Sequence, residues 1–251
     1  MAYQVWIYTL ASAFLLSLIA LIGIILVPFK FEKLKKTLIY FVSFSAGALF
    51  GGAFFHLLPE IVREKGGLNF FVSSLVIGGI VLFFILEKVV HWHHNIIEYE
   101  KEHTHPLAIM SLIGGGFHNL LDGLVLGASF LVSIPVGIAI TMAILFHAIP
   151  KELGWFGVLV HGGFSKSKAL LFNYLSSMFI IIGAVTSLIA SSYVENIQFF
   201  IIPVSAGGFI YLAGSDLIPE LHKEKGLGKS FLQFLSILAG VLVMAALLFL
   251  E

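Results

Sequence analysis

The chain has 251 residues, of which 59% are hydrophobic and 11% are charged, and its formal net charge is zero. Soluble domains carry about a quarter charged residues, so this composition indicates an integral membrane protein with the lipid bilayer as its partner. No basic patch is interleaved with aromatic residues, so nothing indicates nucleic acid binding. The absence of cysteine excludes disulfides and thiolate metal ligands, which leaves nitrogen, oxygen and thioether donors for any metal.

Eight apolar runs follow one another along the chain, each long enough to cross a hydrocarbon core of about 30 Å. They cover residues 3–29, 37–59, 68–86, 106–135, 136–160, 169–193, 197–219 and 230–250. Backbone hydrogen bonds must close within each span in lipid, so the runs predict an all-α fold of eight transmembrane helices. We treat residues 1–251 as one transmembrane domain, because no linker or change in composition divides the chain.

The longest polar segment is predicted to be a loop over residues 87–105. It contains five histidines, which are His91, His93, His94, His103 and His105. Imidazoles at this density either capture metal weakly or belong to a solvated linker. Eleven lysines lie in the loops on this side, whereas Arg63 and Lys65 lie on the other. Because cytoplasmic loops hold the excess of Lys and Arg, we expect a multi-pass protein of the cytoplasmic membrane with both termini outside and this loop inside.

The chain contains an internal repeat at an offset of 160 residues. Residues 45–60 and 205–220 are identical at seven of sixteen positions, including a terminal Leu-x-Pro-Glu. An odd number of crossings separates the two copies, so the repeat of spans 1–3 and 6–8 is expected to be inverted, in a 3+2+3 arrangement. Inverted repeats around a site near the midplane are typical of transporters. Four residues of the repeat either line a vestibule of the pathway or mark the interfacial ends of their spans, and these are His56, Glu60, Asp216 and Glu220. For His56 an interhelical hydrogen bond is a further alternative.

Polar clusters interrupt the fourth and fifth spans. They consist of His118, Asn119 and Asp122, and of His147, Lys151 and Glu152. Ionisable groups at bilayer depth are costly and mark functional sites. Residues four apart share a helix face, so His118 lies beside Asp122 and His147 beside Lys151. Nitrogen and oxygen donors on two facing helices suit divalent zinc, iron, manganese or cobalt.

Pro150 lies between the two halves of the second cluster. Proline has no N–H, so the carbonyl of Phe146 loses its helical partner. Such a carbonyl is tolerated in a membrane where it lines a cavity or meets an ion.

These motifs resemble those of the ZIP (Zrt- and Irt-like) family of divalent metal transporters. That family carries HNxxDG in its fourth span and HExPHE or HExPQE in its fifth, and this chain has HNLLDG at 118–123 and HAIPKE at 147–152. The GDAxxHLLPE of the second span is matched by residues 51–60. The resemblance covers the whole chain. It implies metal movement into the cytoplasm through a site between spans 4 and 5, often binuclear, by motion of spans 1, 4, 5 and 6 against spans 2, 3, 7 and 8.

Four positions depart from the family pattern. Gly52, Ala148 and Trp155 stand where the family has carboxylates, and Lys151 stands where it has His or Gln. An ammonium about 4 Å from a divalent ion is repelled by roughly 8 kcal/mol at an effective dielectric constant of about 20. We therefore expect one metal, with Lys151 in the place of a second. The alternative is that Lys151 is neutral and acts as a nitrogen ligand.

The expected metal site consists of His118, Asp122 and His147, with Asn119, Lys151 and Glu152 as further candidates. The expected function is transport of zinc, with Fe²⁺, Mn²⁺, Cd²⁺ and Co²⁺ left open as substrates and a homodimer left open as an assembly. The lost carboxylates also suit a transport-inactive, metal-sensing relative. An intramembrane zinc hydrolase is the other alternative, but the HExxH signature is absent, so we do not expect an enzyme.

Overall fold

The structure is a computed structural model that describes residues 3–23, 31–97, 105–222 and 226–250. Within these ranges the side chains of residues 31–37, 64–65, 89–97, 105–111, 161, 216 and 250 are not described. All regular elements of the described ranges are helical. The α-helices are Tyr3–Ser17, Phe31–Gly51, Leu58–Lys65, Phe70–Ile97, His105–Val132, Ile134–His161, Lys166–Ser177, Phe179–Ala190, Gln198–Tyr211, Ile218–Leu221 and Leu227–Leu247.

Eight helical segments of the described chain are long and apolar enough to cross a membrane, which confirms the predicted number of spans. Spans 1 to 8 are Tyr3–Ile22, Leu38–Arg63, Phe70–Lys88, Leu112–Val132, Ile134–Val160, Lys166–Ala190, Gln198–Leu221 and Leu227–Leu247. Spans 4 and 5 are separated at Ser133, whose hydroxyl accepts a hydrogen bond from the Val136 N–H at 3.2 Å. The serine cap and the following Pro135 explain why the chain starts a new helix there.

The predicted loop at 87–105 is wrong in its first part. The helix of span 3 continues to Ile97, and the next helix begins at His105, so His91, His93 and His94 lie on helical backbone. Residues 87–97 contain no Gly or Pro, and a helix does not need an apolar sequence once it leaves the membrane. Residues 98–104, which include His103, lie outside the described residues.

Equivalent distortions of the α-helical backbone occur in spans 1–3 and in spans 6–8, the two triplets of the repeat. Span 2 contains a π-helix at Gly52–Leu57 and span 7 contains one at Leu212–Leu217, again 160 residues apart. Spans 1 and 6 are related in the same way, because regular α-helix stops after Ser17 in one and after Ser177 in the other. These two serines also touch, since the Ser177 hydroxyl donates to the Ser17 carbonyl at 2.8 Å.

Glycines bring each triplet into close contact with the other. A Cβ atom on Gly47 in span 2 would collide with the carbonyl oxygen of Ile237 in span 8. A Cβ atom on Gly207, 160 positions later in span 7, would collide with the carbonyl oxygen of Val76 in span 3. Spans 2 and 8, and spans 3 and 7, therefore pack backbone to backbone, as small residues allow between membrane helices.

Spans 4 and 5 lie at the centre of the bundle. Of the most apolar stretch of span 4, 61% is buried, against 17% for spans 3 and 8. The main buried cluster is built largely from spans 2, 4, 5 and 7, and includes Leu49, Leu126, Ile140 and Phe209. The polar clusters of spans 4 and 5 are thus enclosed by protein.

Candidate metal centre

A neighbouring span supplies the hydrogen bond that the backbone of span 5 lacks at Pro150. The Phe146 carbonyl accepts a 2.6 Å hydrogen bond from the hydroxyl of Ser45 in span 2. The carbonyl that proline frees therefore meets a hydroxyl group. This bond joins spans 2 and 5 next to His147, and so fixes the part of span 5 that carries the candidate ligand.

Three side chains converge at one point between spans 4 and 5. His118 Nε2 and His147 Nε2 lie 3.6 and 3.4 Å from the same oxygen, Oδ2 of Asp122, and 3.4 Å from each other. Among the described residues they form the one group of three or more potential metal ligands, with ligand atoms within 4.8 Å of one another. Asp122 and His147 are buried, while His118 is partly open. Two imidazole nitrogens and one carboxylate oxygen, with room for a further ligand, suit zinc.

The orientation of the His147 ring is set by its own helix. Nδ1 lies 3.4 Å from the carbonyl oxygen of Ala143, which leaves Nε2 directed at Asp122. A hydrogen bond at one ring nitrogen commonly orients the other for metal binding. The ring also packs against Phe209, with centroids 6.4 Å apart.

The side chain of Lys151 lies directly beside this group. Lys151 Nζ is 3.0 Å from Asp122 Oδ2 and 3.0 Å from Asn119 Oδ1. The Asn119 amide is itself held by span 6, because its Nδ2 donates to the Ser176 carbonyl at 3.3 Å. Asn119 and Lys151 therefore lie next to the three ligands, with their polar atoms directed at each other.

Glu152 faces a different set of neighbours. One carboxylate oxygen accepts a 3.5 Å hydrogen bond from Asn119 Nδ2, and the other is buried with no hydrogen-bond partner in the described chain. Nearby, Asn173 Nδ2 lies 3.4 Å from the carbonyl oxygens of Glu152 and Ala20. The backbone carbonyl of Glu152 thus takes part in a polar contact of spans 1, 5 and 6, while its side chain faces Asn119 of span 4. Asn173 was not identified from the sequence. Its position as a polar amide inside an apolar run was the signal that could have identified it.

A cavity of about 340 Å³ leads from the ligands to the surface. Its lining includes His118, His147, Lys151, Trp155, Val158 and Glu220. Glu220, at the end of span 7, is exposed, so the cavity reaches solvent at that end. On the opposite side of His147, Ile140, Ala143 and Phe209 are fully or almost fully buried. Apolar side chains therefore fill the space on that side of His147.

The predicted vestibule residues lie in different surroundings. His56 is buried, and its Nε2 lies 2.9 Å from the Met244 carbonyl oxygen, so it joins spans 2 and 8. Glu60 is buried and pairs with Arg63 at 2.6 Å. Glu220 lines the cavity. The side chains of Asp216 and of the histidines at 91, 93, 94 and 105 lie outside the described part of the structure, so their roles stay predictions.

Comparison with known proteins decides the family. The model of the family described as ZIP Zinc transporter matches residues 3–107 and 98–248. This chain belongs to the ZIP zinc transporter family. The resemblance predicted from the motifs of this ZIP protein is thereby confirmed.

Two relatives of this ZIP protein align along almost its whole length, and a third aligns along about half of it. It is 29% identical to the zinc transporter ZIP13 of Pongo abelii over 259 residues, which cover 95% of this chain and 77% of that protein. It is 28% identical to the metal cation symporter ZIP14 of Homo sapiens over 335 residues, covering 98% and 68%. Zinc transporter ZIP10 of Mus musculus is 36% identical over 147 residues, covering 55% and 18%.

Three of the four departures from the family motifs have a visible structural setting. A Cβ atom on Gly52 would lie 3.2 Å from the Cβ of Ala143, so a side chain at this position would require spans 2 and 5 to shift by a few tenths of an ångström. Lys151 and Trp155 are neighbours on one helix face, with Nζ 5.1 Å from the ring centroid. The added cation and the added aromatic ring of this ZIP protein are therefore in contact.

Proposed function

We propose that this ZIP protein moves a divalent transition metal, zinc foremost, into the cytoplasm through a single-metal site formed by His118, Asp122 and His147. The observation that carries the proposal is that these three side chains converge at the deep, closed end of a cavity whose other end reaches solvent. Lys151 holds the place of a second metal, because its ammonium group already neutralises the Asp122 oxygen that a second ion would share.

The direction of transport follows from the charge asymmetry. The rule that places the lysine-rich loops inside also places Val158 and Glu220, at the ends of spans 5 and 7, on the cytoplasmic side. The cavity then opens inwards, in a conformation from which metal is released. Both termini lie outside, the protein resides in the cytoplasmic membrane, and the histidines between spans 3 and 4 capture the released metal.

Two groups of tightly packed helices support movement by alternating access. Spans 2 and 8 and spans 3 and 7 are locked at the glycines described above. Spans 4 and 6 are locked in the same way, because a Cβ atom on Gly123 would collide with the Ile180 carbonyl and one on Gly183 with the Leu120 carbonyl. We propose that spans 1, 4, 5 and 6 move as one body against the tightly packed spans 2, 3, 7 and 8 of the inverted repeat.

The donor set defines the substrate range. Two imidazoles and a carboxylate favour Zn²⁺, and they also accept Fe²⁺, Mn²⁺, Co²⁺ and Cd²⁺. The relatives support this choice by their names, which are zinc transporter and metal cation symporter. Membership of a transporter family supports the expectation that this protein is not an enzyme.

The test is uptake of radioactive zinc into proteoliposomes that contain the unsubstituted protein, His118→Ala or Lys151→His, with manganese and iron as competitors. We expect saturable uptake that is lost in His118→Ala. If the unsubstituted protein is inactive and only Lys151→His transports zinc, Lys151 has closed the pathway and the protein is a metal sensor. If His118→Ala transports zinc normally, the proposed site is wrong.

A further inference from the structure

Trp155 is in contact with the cation of Lys151. The two residues are one helical turn apart on span 5, and Lys151 Nζ lies over the indole at 5.1 Å from its centroid. A cation within about 6 Å of an indole centroid is attracted by the negative face of the ring. The ammonium also donates to Asn119 and Asp122 at 3.0 Å each, so the ring adds a third favourable contact.

Span 4 leaves a space for this ring. A Cβ atom on Gly115 would lie 2.8 Å from Cζ3 of Trp155, so the indole occupies the volume that a larger residue would fill. One turn further along the same helix, the His118 ring meets the indole edge to face, with centroids 6.0 Å apart and planes at 84°. The indole is therefore held between span 4 and Lys151.

The contact matters because Lys151 has an alternative position. Lys151 and Trp155 both line the cavity of about 340 Å³ that leads to Glu220. A lysine side chain is long and flexible, so without the indole the ammonium has one contact fewer to keep it beside Asn119 and Asp122 and withdraws into this space more readily. Held by the indole, it stays beside the Asp122 oxygen that the metal needs and repels an arriving divalent ion.

We propose that Trp155 is a positioning residue that keeps the Lys151 ammonium at the metal site, and that this weakens zinc binding so that the ion can be released. The inference rests on the proposed function, because it assumes that His118, Asp122 and His147 bind the transported ion. It assigns a role to Lys151 and Trp155, two of the three residues by which this chain departs from its family in the fifth span.

A double-mutant cycle tests the inference. Equilibrium zinc binding is measured on the full chain in detergent for the unsubstituted protein, Trp155→Leu, Lys151→Met and the double variant. We expect Trp155→Leu to tighten zinc binding by about tenfold, the scale of a desolvated cation–π contact. Lys151→Met should tighten it at least as much, because it removes the repelling charge altogether. Trp155→Leu should add nothing once Lys151 is Met, because the tryptophan acts through the lysine. Trp155→Phe keeps an aromatic face and should stay close to the unsubstituted protein.

A pair of neighbouring glycines supplies a matched control. Gly115→Ala displaces the indole and should tighten zinc binding as Trp155→Leu does. Gly116→Ala adds the same methyl group on the same helix, but its nearest neighbour is Ser176 Oγ at 3.4 Å, so zinc binding should not change. Size-exclusion chromatography and thermal unfolding confirm that each variant is folded.

Two results would overturn the inference. If Trp155→Leu changes zinc affinity equally with Lys151 present or absent, the indole is only a packing residue. If Trp155→Leu weakens binding in the presence of Lys151, the indole supports the ligands directly. Failure of the proposed function is distinguished by His118→Ala, which would then bind zinc as well as the unsubstituted protein in the same assay.

Discussion

The hydroxyl of Ser45 donates a 2.6 Å hydrogen bond to the carbonyl oxygen of Phe146, an acceptor that Pro150 leaves without a helical N–H. Span 2 thus completes the backbone of span 5. Ser205 occupies the same place in the second copy of the repeat, but its hydroxyl donates to the Ile201 carbonyl of its own helix. The two serines are therefore equivalent in sequence and different in function.

Ser45→Ala should destabilise the protein, because it leaves a part-buried carbonyl inside the bundle without a donor. The expected loss in free energy of unfolding is about 1 to 3 kcal/mol. Ser205→Ala is the control and should change it by less than about 0.5 kcal/mol, because an ordinary helical carbonyl retains its own N–H partner. Denaturant unfolding in detergent measures both. Equal losses for the two serines would show that the bond between spans 2 and 5 adds no specific stability.

Two adjacent glycines of span 3 should respond in opposite directions to alanine. A Cβ atom on Gly79 would collide with the carbonyl oxygen of Val204 in span 7, so Gly79→Ala should cost about 1 to 3 kcal/mol. A Cβ atom on Gly78 meets nothing within 4 Å, so Gly78→Ala should stabilise the helix by up to about 1 kcal/mol. Thermal unfolding of the two variants decides the matter. Tolerance of alanine at Gly79 would contradict the close packing of spans 3 and 7.

Asp122 and Glu152 should differ in their effect on zinc binding. Asp122→Asn removes the negative charge of the carboxylate that both imidazoles approach, and should lower zinc affinity by about 100-fold. Glu152→Gln should leave the affinity within about threefold, because Glu152 is directed at Asn119 and lies outside the group of three ligands. Isothermal titration with zinc measures both. A large loss in Glu152→Gln would place this carboxylate in the metal site.

The one-sided cavity predicts asymmetric labelling, which the absence of cysteine makes easy to measure. Val158→Cys faces the cavity and should react with a membrane-impermeant thiol reagent added at the cytoplasmic side. Ile140→Cys lies on span 5 beyond His147, is fully buried, and should react at least about tenfold more slowly. Bound zinc should slow labelling at Val158→Cys if the ion occupies the inner end of the cavity. If Ile140→Cys reacted faster than Val158→Cys, the cavity would open on the side opposite to the one proposed.

Local sequence patterns were sufficient to predict the spans and the candidate ligands. Runs of apolar residues define a transmembrane helix by length alone, and a spacing of four places His118 and Asp122 on one face whatever surrounds them. The end of a helix in water depends on weaker signals. For this reason the extension of span 3 to Ile97 was missed.

Distances between helices decided the rest of the site. Helix periodicity says which residues share a face, but the packing angle and separation of two helices depend on side chains far apart in the chain. Only the tertiary structure selected Asp122 as the oxygen shared by both histidines and by Lys151, and turned Glu152 towards Asn119. It also brought Trp155 over Lys151 in the space left at Gly115. The sequence by itself determined a membrane protein with candidate metal ligands in spans 4 and 5, and the close approach of the spans decided which of those residues meet at one point.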